Sequence, residues 1–323
     1  MIQKISTSLP ESDGPVSIHT SVPGKVILFG EWAVTAGAPG IATTLDCRLH
    51  LDILPGEGTA GENTATRVIS GDQSCSIQDE VVPGYFQLVS QVVLILREES
   101  DANLWKGKTL KFTAGWKESE GLGSSSAVVL AMLLAQAAGG TFARDHLWLR
   151  GREILRICQN PRASGLDLAV QVHGGSVILQ GEEAFPLLLD FPTNLRLIHT
   201  GQKMKTDRAL SEKILTEDVG RGIQESTLEF MRRRDWISAI RQHSRILENF
   251  GVVPKEVQAA QNDWMNQGWI EALKTTGAGG GDALLTWINP QHEVAIQRDL
   301  NRLGWWMNPH KWTAEAGKIT DAS

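Results

Sequence analysis

Four short segments hold the residue types that could do chemistry. Glu120-Gly-Leu-Gly-Ser-Ser-Ser-Ala127 runs straight into the apolar stretch AVVLAMLLAQAA. Glycines let a backbone come close to a ligand, the first turn of a helix leaves amide N–H groups unpaired, and the helix dipole adds positive potential. Gly121, Leu122, Gly123, Ser124, Ser125 and Ser126 are therefore a place for an anion, a phosphate group above all, and serine hydroxyls can ligate magnesium. Thr275-Thr-Gly-Ala-Gly-Gly-Gly-Asp282 is the second segment. A loop so rich in Gly and Ala loses much chain entropy on ordering, and backbone approach to a ligand is the natural reason to keep it. In Ser164-Gly-Leu-Asp167, followed by Ala169 and His173-Gly174-Gly175, one acid sits among small and apolar residues, as a cap or as a base. Finally, Pro23-Gly-Lys-Val-Ile-Leu-Phe-Gly-Glu-Trp-Ala-Val34 places Lys25 and Glu31 around an apolar strand, where a lysine can reach a phosphate or a reacting hydroxyl.

These segments need elements to position them. Residues 16–28 are β-branched and alternating, and with PGK and GEWAVTAGAPG they read as strands joined by a glycine-bearing turn. The serine-bearing loop opens a helix that is apolar nearly all round, the pattern of a helix buried on most sides. Residues 56–80 are polar and turn-rich, a surface excursion before a helix over 85–96. SVILQ after Gly175 reads as a strand, and two prolines then reset the pattern. From 207 to 250 the chain is charged and periodic, a helical layer over a sheet, with breaks expected near Gly220 and at GVVP 251–254. The second glycine cluster is followed by an apolar strand and a helix around 291–303.

Composition bounds the function. A chain of 323 residues, at about 100–200 residues per domain, holds one large domain or two. We expect a loose tail over 1–15, a first domain over 16–185 that holds the serine-bearing loop, and a second domain over 186–323. The formal charge of −6 supplies no global field for nucleic acid or anionic membrane, so an anionic ligand must be held locally. Cys47, Cys75 and Cys158 are odd in number and far apart, fitting neither a disulfide framework nor a zinc site, and a reducing, cytoplasmic setting is expected. The longest apolar run, Ala127 to Ala135, is far short of the ~20 residues of a membrane helix. Gly107-Lys108-Thr109 has the tail of a Walker A loop but Ala102 at its first glycine position, and Arg232-Arg233-Arg234 reads as a solvated helix face. His173 and His243 carry no role beyond packing or capping, and Trp305-Trp306 reads as packing.

PGKVILFGEWAV, GLGSSSA and TGAGGGDA, in that order, resemble the three signature motifs of the GHMP kinase superfamily, over about residues 21 to 290. The resemblance implies an α/β (α+β) chain: an N-terminal domain like ribosomal protein S5 domain 2 and a ferredoxin-like C-terminal domain, with ATP between them. It gives Gly121 to Ser126 to the ATP phosphates, Ser125 to Mg2+, and Asp167 to the proton of the substrate hydroxyl. Lys25 would steady the charge developing on the attacking oxygen and the γ-phosphate. Gly277, Ala278, Gly279, Gly280, Gly281 and Asp282 would close over substrate and phosphates.

Within the superfamily the resemblance points to the mevalonate-pathway branch. Mevalonate kinases usually carry histidine where Trp32 stands, and a magnesium-binding glutamate where Arg156 stands, eleven residues before Asp167. Trp32, Ser164 to Ala169 and Asp282 match phosphomevalonate kinases better, so 5-phosphomevalonate is the expected acceptor, with mevalonate as the alternative. A catalytically silent ligand sensor on the same fold is the alternative of another class. Glu31, Trp32 and Ser164 fall to the substrate, and Lys203 and Lys205, after His199-Thr200-Gly201, are the expected partners of its phosphate. A small-molecule substrate, no nucleic acid or membrane partner, and a monomer or homodimer complete the expectation.

Overall fold

The computed structural model describes residues 18–56, 65–99, 104–139, 144–201, 217–277 and 281–320. Its first sheet is built on two long antiparallel strands, β1 (Ile18–Phe29) and β2 (Gly40–Pro55). β3 (Thr66–Ser70) and β4 (Gln73–Ile77) form a hairpin, and β3 lies parallel to β5 (Lys108–Ala114), which pairs with β2. Residues 56–80 are therefore more than the surface excursion their polarity suggests. Only Val68 and Ile77, both fully buried, anchor that hairpin to the core, too few apolar positions for a period to show.

Helices cover one face of this sheet: α1 (Gln87–Glu99), α2 (Ser124–Gln136), α3 (Arg144–Cys158) and α4 (Leu166–His173). Helix α2 is central, with Ala127 and Val129 through Ala135 all buried. Each fully buried aliphatic side chain there, such as Leu130, contributes about 1.5–3 kcal/mol. Beyond α4 come β6 (Ser176–Gln180), which pairs with β2, and β7 (Glu183–Leu187), which pairs with β6.

The second sheet has β8 (Leu195–His199), β9 (Ile270–Thr275), β10 (Ala283–Ile288) and β11 (Trp306–Met307) in the antiparallel order β11-β8-β10-β9. With α5 (Glu217–Arg233), α6 (Trp236–Phe250), α7 (Lys255–Asn266) and α8 (Glu293–Leu303), this is the 4-1-3-2 arrangement of a ferredoxin-like unit. Alternation along its strands sends one set of side chains to each side. Ile198, Leu273 and Leu284 join Leu247, Trp264 and Leu300 in a helical core, whereas Leu197, Ala272 and Leu285 join the first sheet's core with Phe29. The second sheet is thus a wall shared by both cores.

Helix α5 runs unbroken through Gly220. Gly222 on the same helix faces α6, where an added Cβ would make ordinary van der Waals contact with Ile246 at 3.5 Å. The break falls instead at Arg234, with φ 58°, and Asp235, whose carboxylate accepts the Ser238 amide as the cap of α6.

The chain does not end in the second sheet. β12 (Trp312–Thr313) pairs with β2 and β13 (Lys318–Thr320) pairs with β1. A division at 185/186 therefore falls inside β7, and residues 312–320 belong by pairing to the first sheet. This returning strap crosses Gly174 at the end of α4, whose φ of 74° and ψ of 168° suit only glycine. A Cβ there would lie 2.5 Å from the Ala314 carbonyl oxygen and 2.7 Å from the Ala316 nitrogen. Gly174→Ala is expected to cost about 1–3 kcal/mol from backbone strain, before any cost of displacing the strap. A thermal midpoint equal to that of the parent would refute this account of the crossing.

Candidate active site

The site begins with an irregularity in β1. Pro23 stands opposite Arg48 of β2 but Gly24 stands opposite Leu45, so Asp46 and Cys47 form a bulge. A bulge bends its own strand and increases the local twist of the pair. Past the bulge, the Lys25 amide donates to the Leu122 carbonyl at 3.0 Å, stitching the strand to the glycine-rich loop. The Lys25 side chain is only 5% exposed. Its ammonium donates to the Gly121 carbonyl at 3.3 Å and lies 3.2 Å from Oδ2 of Asp167, the first-turn acid of α4.

Each glycine around this pair has a geometric reason. Gly123 caps α2 with φ 84°, and a Cβ there would stand 2.7 Å from Lys25 Cγ and Cε. Gly121 has φ 69° and faces Asp282, whose Oδ2 would be 3.5 Å from an added Cβ. Gly165 caps α4 with φ 81° against Arg152 and Trp148. The first helical bond of α2 runs from the Ala127 amide to the Gly123 carbonyl at 3.0 Å. The amides of Ser124, Ser125 and Ser126 precede it and are left for a ligand.

The three serines differ in use. Ser124 Oγ accepts from the Trp116 indole at 3.0 Å, and Ser126, buried, donates back to the Gly123 carbonyl at 3.0 Å. Ser125 Oγ accepts from Gln159 at 2.9 Å. Arg156, in the place of the glutamate, donates instead to the Ala163 carbonyl at 3.1 Å. Glu153 is paired with Arg150. Among the described residues no group of three or more His, Cys, Asp or Glu could hold a metal. Ser125, Asp167 and Asp282 are oxygen-bearing side chains in the cavity lining, donors of the kind that fit Mg2+ when phosphate oxygens and water complete its shell.

A cavity of about 310 Å³ opens over this machinery. Lys25, Gly121 to Ser126, Ser164, Asp167, Gly277 and Asp282 line it, and so do Glu31 and Trp32. The structure thus brings together residues spread over 250 positions of sequence. Ser164 sits at the mouth of α4, its hydroxyl accepting the Leu166 amide at 3.3 Å. Gly281 lies at the entry to β10, and its carbonyl accepts from Thr200 Oγ1 at 2.5 Å. Lys203, Lys205, Ala278, Gly279 and Gly280 lie outside the described residues. A second cavity of about 520 Å³ adjoins the first through Ser124, Ser125 and Gln159, and Leu49, Tyr85, Phe86 and Trp116 give it an apolar, aromatic wall.

Glu31 is not a free carboxylate facing a ligand. It is 1% exposed and paired with Lys274 of β9, which is fully buried. Burial pushes Glu31 up and Lys274 down from their ordinary values, and their mutual attraction opposes both shifts. Trp32, at φ 68°, is also buried and packs edge-on against Phe250 of α6, 5.8 Å between centroids. His243 completes the hold on this turn: its Nε2 accepts the Gly30 amide at 3.4 Å while Nδ1 faces Ser226 Oγ at 2.8 Å. Burial lowers it to about 3, so it is a neutral acceptor. Neither His243 nor Lys274 carries a motif signal of its own. An isolated histidine in a helix and a lysine inside an apolar strand are visible, yet their partner lies more than 200 residues away.

Residues 87–175 match the GHMP kinases N terminal domain. The chain carries a GHMP kinase N-terminal domain. It is 28% identical over 172 residues to mevalonate kinase of Thermococcus onnurineus, covering 49% of this chain and 50% of that protein. The match thus spans about half the length of that relative. Mevalonate kinase of Methanothermobacter thermautotrophicus is 24% identical over 288 residues, 82% of this chain and 88% of the relative. In structure, Methanococcus jannaschii mevalonate kinase superposes with a TM-score of 0.74 at 18% identity, covering 93% of this chain and 99% of that one. Streptococcus pneumoniae phosphomevalonate kinase in complex with phosphomevalonate and AMPPNP gives 0.72 at 15%, covering 91% and 99%. The chain has the GHMP kinase fold, and among its described residues no helix is long and apolar enough to cross a membrane.

The buried pair offers a test of the wall of this cavity. Lys274→Met alone is expected to cost about 3–5 kcal/mol, because it leaves Glu31 buried without its cation. Adding Glu31→Gln should recover most of that loss in denaturant unfolding. Additive losses from the two substitutions would show that the side chains do not act as a pair.

Proposed function

We propose that this chain is a phosphotransferase that moves the γ-phosphoryl of ATP to a hydroxyl of a small mevalonate-pathway acid. The observation that carries the reading is the Lys25 ammonium, held between the Gly121 carbonyl and the Asp167 carboxylate at the open N-terminus of α2. Phosphoryl transfer asks a protein for positioning and for positive potential where charge develops. The Ser124 to Ser126 amides supply that potential to the transferring phosphate and Lys25 supplies it to the attacking oxygen. Asp167, 36% exposed on its side chain, turns a carboxylate toward the cavity and can orient the acceptor hydroxyl and take its proton. Mg2+, when bound with the nucleotide, neutralises phosphate charge, and Ser125 and Asp167 are the residues that would hold it. The nucleotide base has room in the aromatic cavity behind Ser124, and the acceptor has room in the cavity over Asp167.

For the acceptor we favour 5-phosphomevalonate. With Lys274 committed to Glu31, Lys25 and Arg162 are the cationic side chains among the described residues lining the acceptor cavity. Lys25 serves the reacting atoms, which leaves Arg162 for a substrate phosphate, a geometry that guanidinium suits. Lys203 and Lys205 would add to it. Mevalonate is the second reading, because the sequence relatives named above are mevalonate kinases. A silent sensor is disfavoured by Lys25 and Asp167 standing together, since binding alone needs no proton acceptor.

ADP release from Mg-ATP should be measured with 5-phosphomevalonate and with mevalonate in parallel. Turnover with the first and not the second supports the favoured reading; the reverse transfers it to mevalonate; no turnover with either refutes the proposed acceptor class. Asp167→Asn is expected to lower kcat by at least about 10²-fold while nucleotide affinity is retained. Arg162→Ala should raise KM for 5-phosphomevalonate and leave that for ATP unchanged. Equal effects on both would remove Arg162 from the acceptor site.

A further inference from the structure

Gln171 stands one helical turn after Asp167 on α4 and is fully buried. An amide removed from water must find partners, and those of Gln171 are unusual in what they belong to. Nε2 donates to the Pro23 carbonyl at 2.8 Å and reaches the Gly123 carbonyl at 3.4 Å. Pro23 is the last residue of β1 before the register shift that leads to Lys25, and Gly123 is the cap of α2, whose first-turn amides face the phosphate site. The backbone carbonyl of Gln171 accepts the Gly317 amide at 2.7 Å, so the returning strap holds the same turn of α4 from the opposite side.

We propose that Gln171 is a positioning residue for phosphoryl transfer, its one amide group setting the distance between the Asp167 helix, the Lys25 strand and the phosphate loop. Three backbone segments meet at this side chain, and each carries one part of the machinery. The Lys25 to Asp167 contact at 3.2 Å joins two of those segments by their side chains, and Gln171 joins all three at their backbones. Long polar side chains lose rotamer freedom on burial, so an aliphatic residue would fill this volume at less cost. A donor is needed here because Pro23 and Gly123 both present carbonyl oxygens. The inference rests on the kinase reading above, and its test separates the two.

The experiment is steady-state kinetics with the acceptor that the parent enzyme turns over, for Gln171→Met and Gln171→Glu in the full chain. Gln171→Met keeps the volume and removes the donor. Its kcat is expected to fall by about ten- to a hundred-fold, the scale of a misplacement near 1 Å, with KM for ATP changed far less. Gln171→Glu, when ionised, places a carboxylate against two carbonyl oxygens, and burial and those acceptors both favour its protonated form. On protonation its hydroxyl can donate to Pro23 again, so its kcat relative to the parent should rise as pH falls. A kcat for both variants within twofold of the parent would overturn the proposal, as would a loss in Gln171→Glu that is the same at every pH. If Gln171→Met does not fold, the pH dependence of Gln171→Glu decides. A parent protein with no turnover on any acceptor would instead overturn the kinase reading.

Discussion

A lysine ammonium placed in a nearly closed site must be surrounded by oxygen, and meeting that demand at Lys25 shapes the site around it. An ammonium away from water costs several kcal/mol unless it is paired and hydrogen-bonded. Here the partners are a loop carbonyl and a carboxylate, contributed by different elements. To bring them to one point, β2 carries a bulge opposite β1, the loop carries a glycine where a Cβ would strike the lysine stem, and α4 begins at a glycine with positive φ. The same contacts hold the Asp167 carboxylate and the Lys25 ammonium side by side in the wall of the cavity.

The cavity has walls from both halves of the chain, and its electrostatics follow from that. The turn Gly30 to Trp32 hangs from the end of β1 but is held by His243 and Lys274, both beyond residue 240. Its strained Trp32 backbone, with φ 68°, persists because the surroundings over-determine it. Lys274 takes up the charge of Glu31 inside the wall, so the acid does not repel an anionic ligand. Among the described residues, the cavity lining is left with Lys25 and Arg162 as cations against Asp167 and Asp282.

The sequence discloses some of this and conceals the rest for physical reasons. Glycine-rich loops are legible because only glycine allows φ above zero and close approach, so Gly121, Gly123 and Gly277 mark themselves by type. The apolar composition of α2 likewise announces a buried helix, and the apolar run after the second glycine cluster a strand, β10. The β3–β4 hairpin was hidden, because two buried residues are too few for a period. Gly220 misleads as a breaker, since one glycine inside a helix costs only about 1 kcal/mol and α5 runs on through it. Glu31 stands in a stretch that points to ligand contact, but its side chain is consumed by a lysine 243 residues away. No local pattern encodes a pairing of that span, and the strap that returns over 312–320 is invisible for the same reason.

Arg156 stands where the resemblance leads one to expect an acid, and the geometry shows what the arginine does instead. An acid there would add negative charge beside Ser125; the arginine turns away to the Ala163 carbonyl, tying α3 to the loop that leads into Asp167. Gln159 reaches the Ser125 hydroxyl, so a neutral amide and not an acid stands beside that serine. The placing of Asp167 then rests on protein contacts: the Lys25 ammonium at its carboxylate and the glycine cap with positive φ that starts α4.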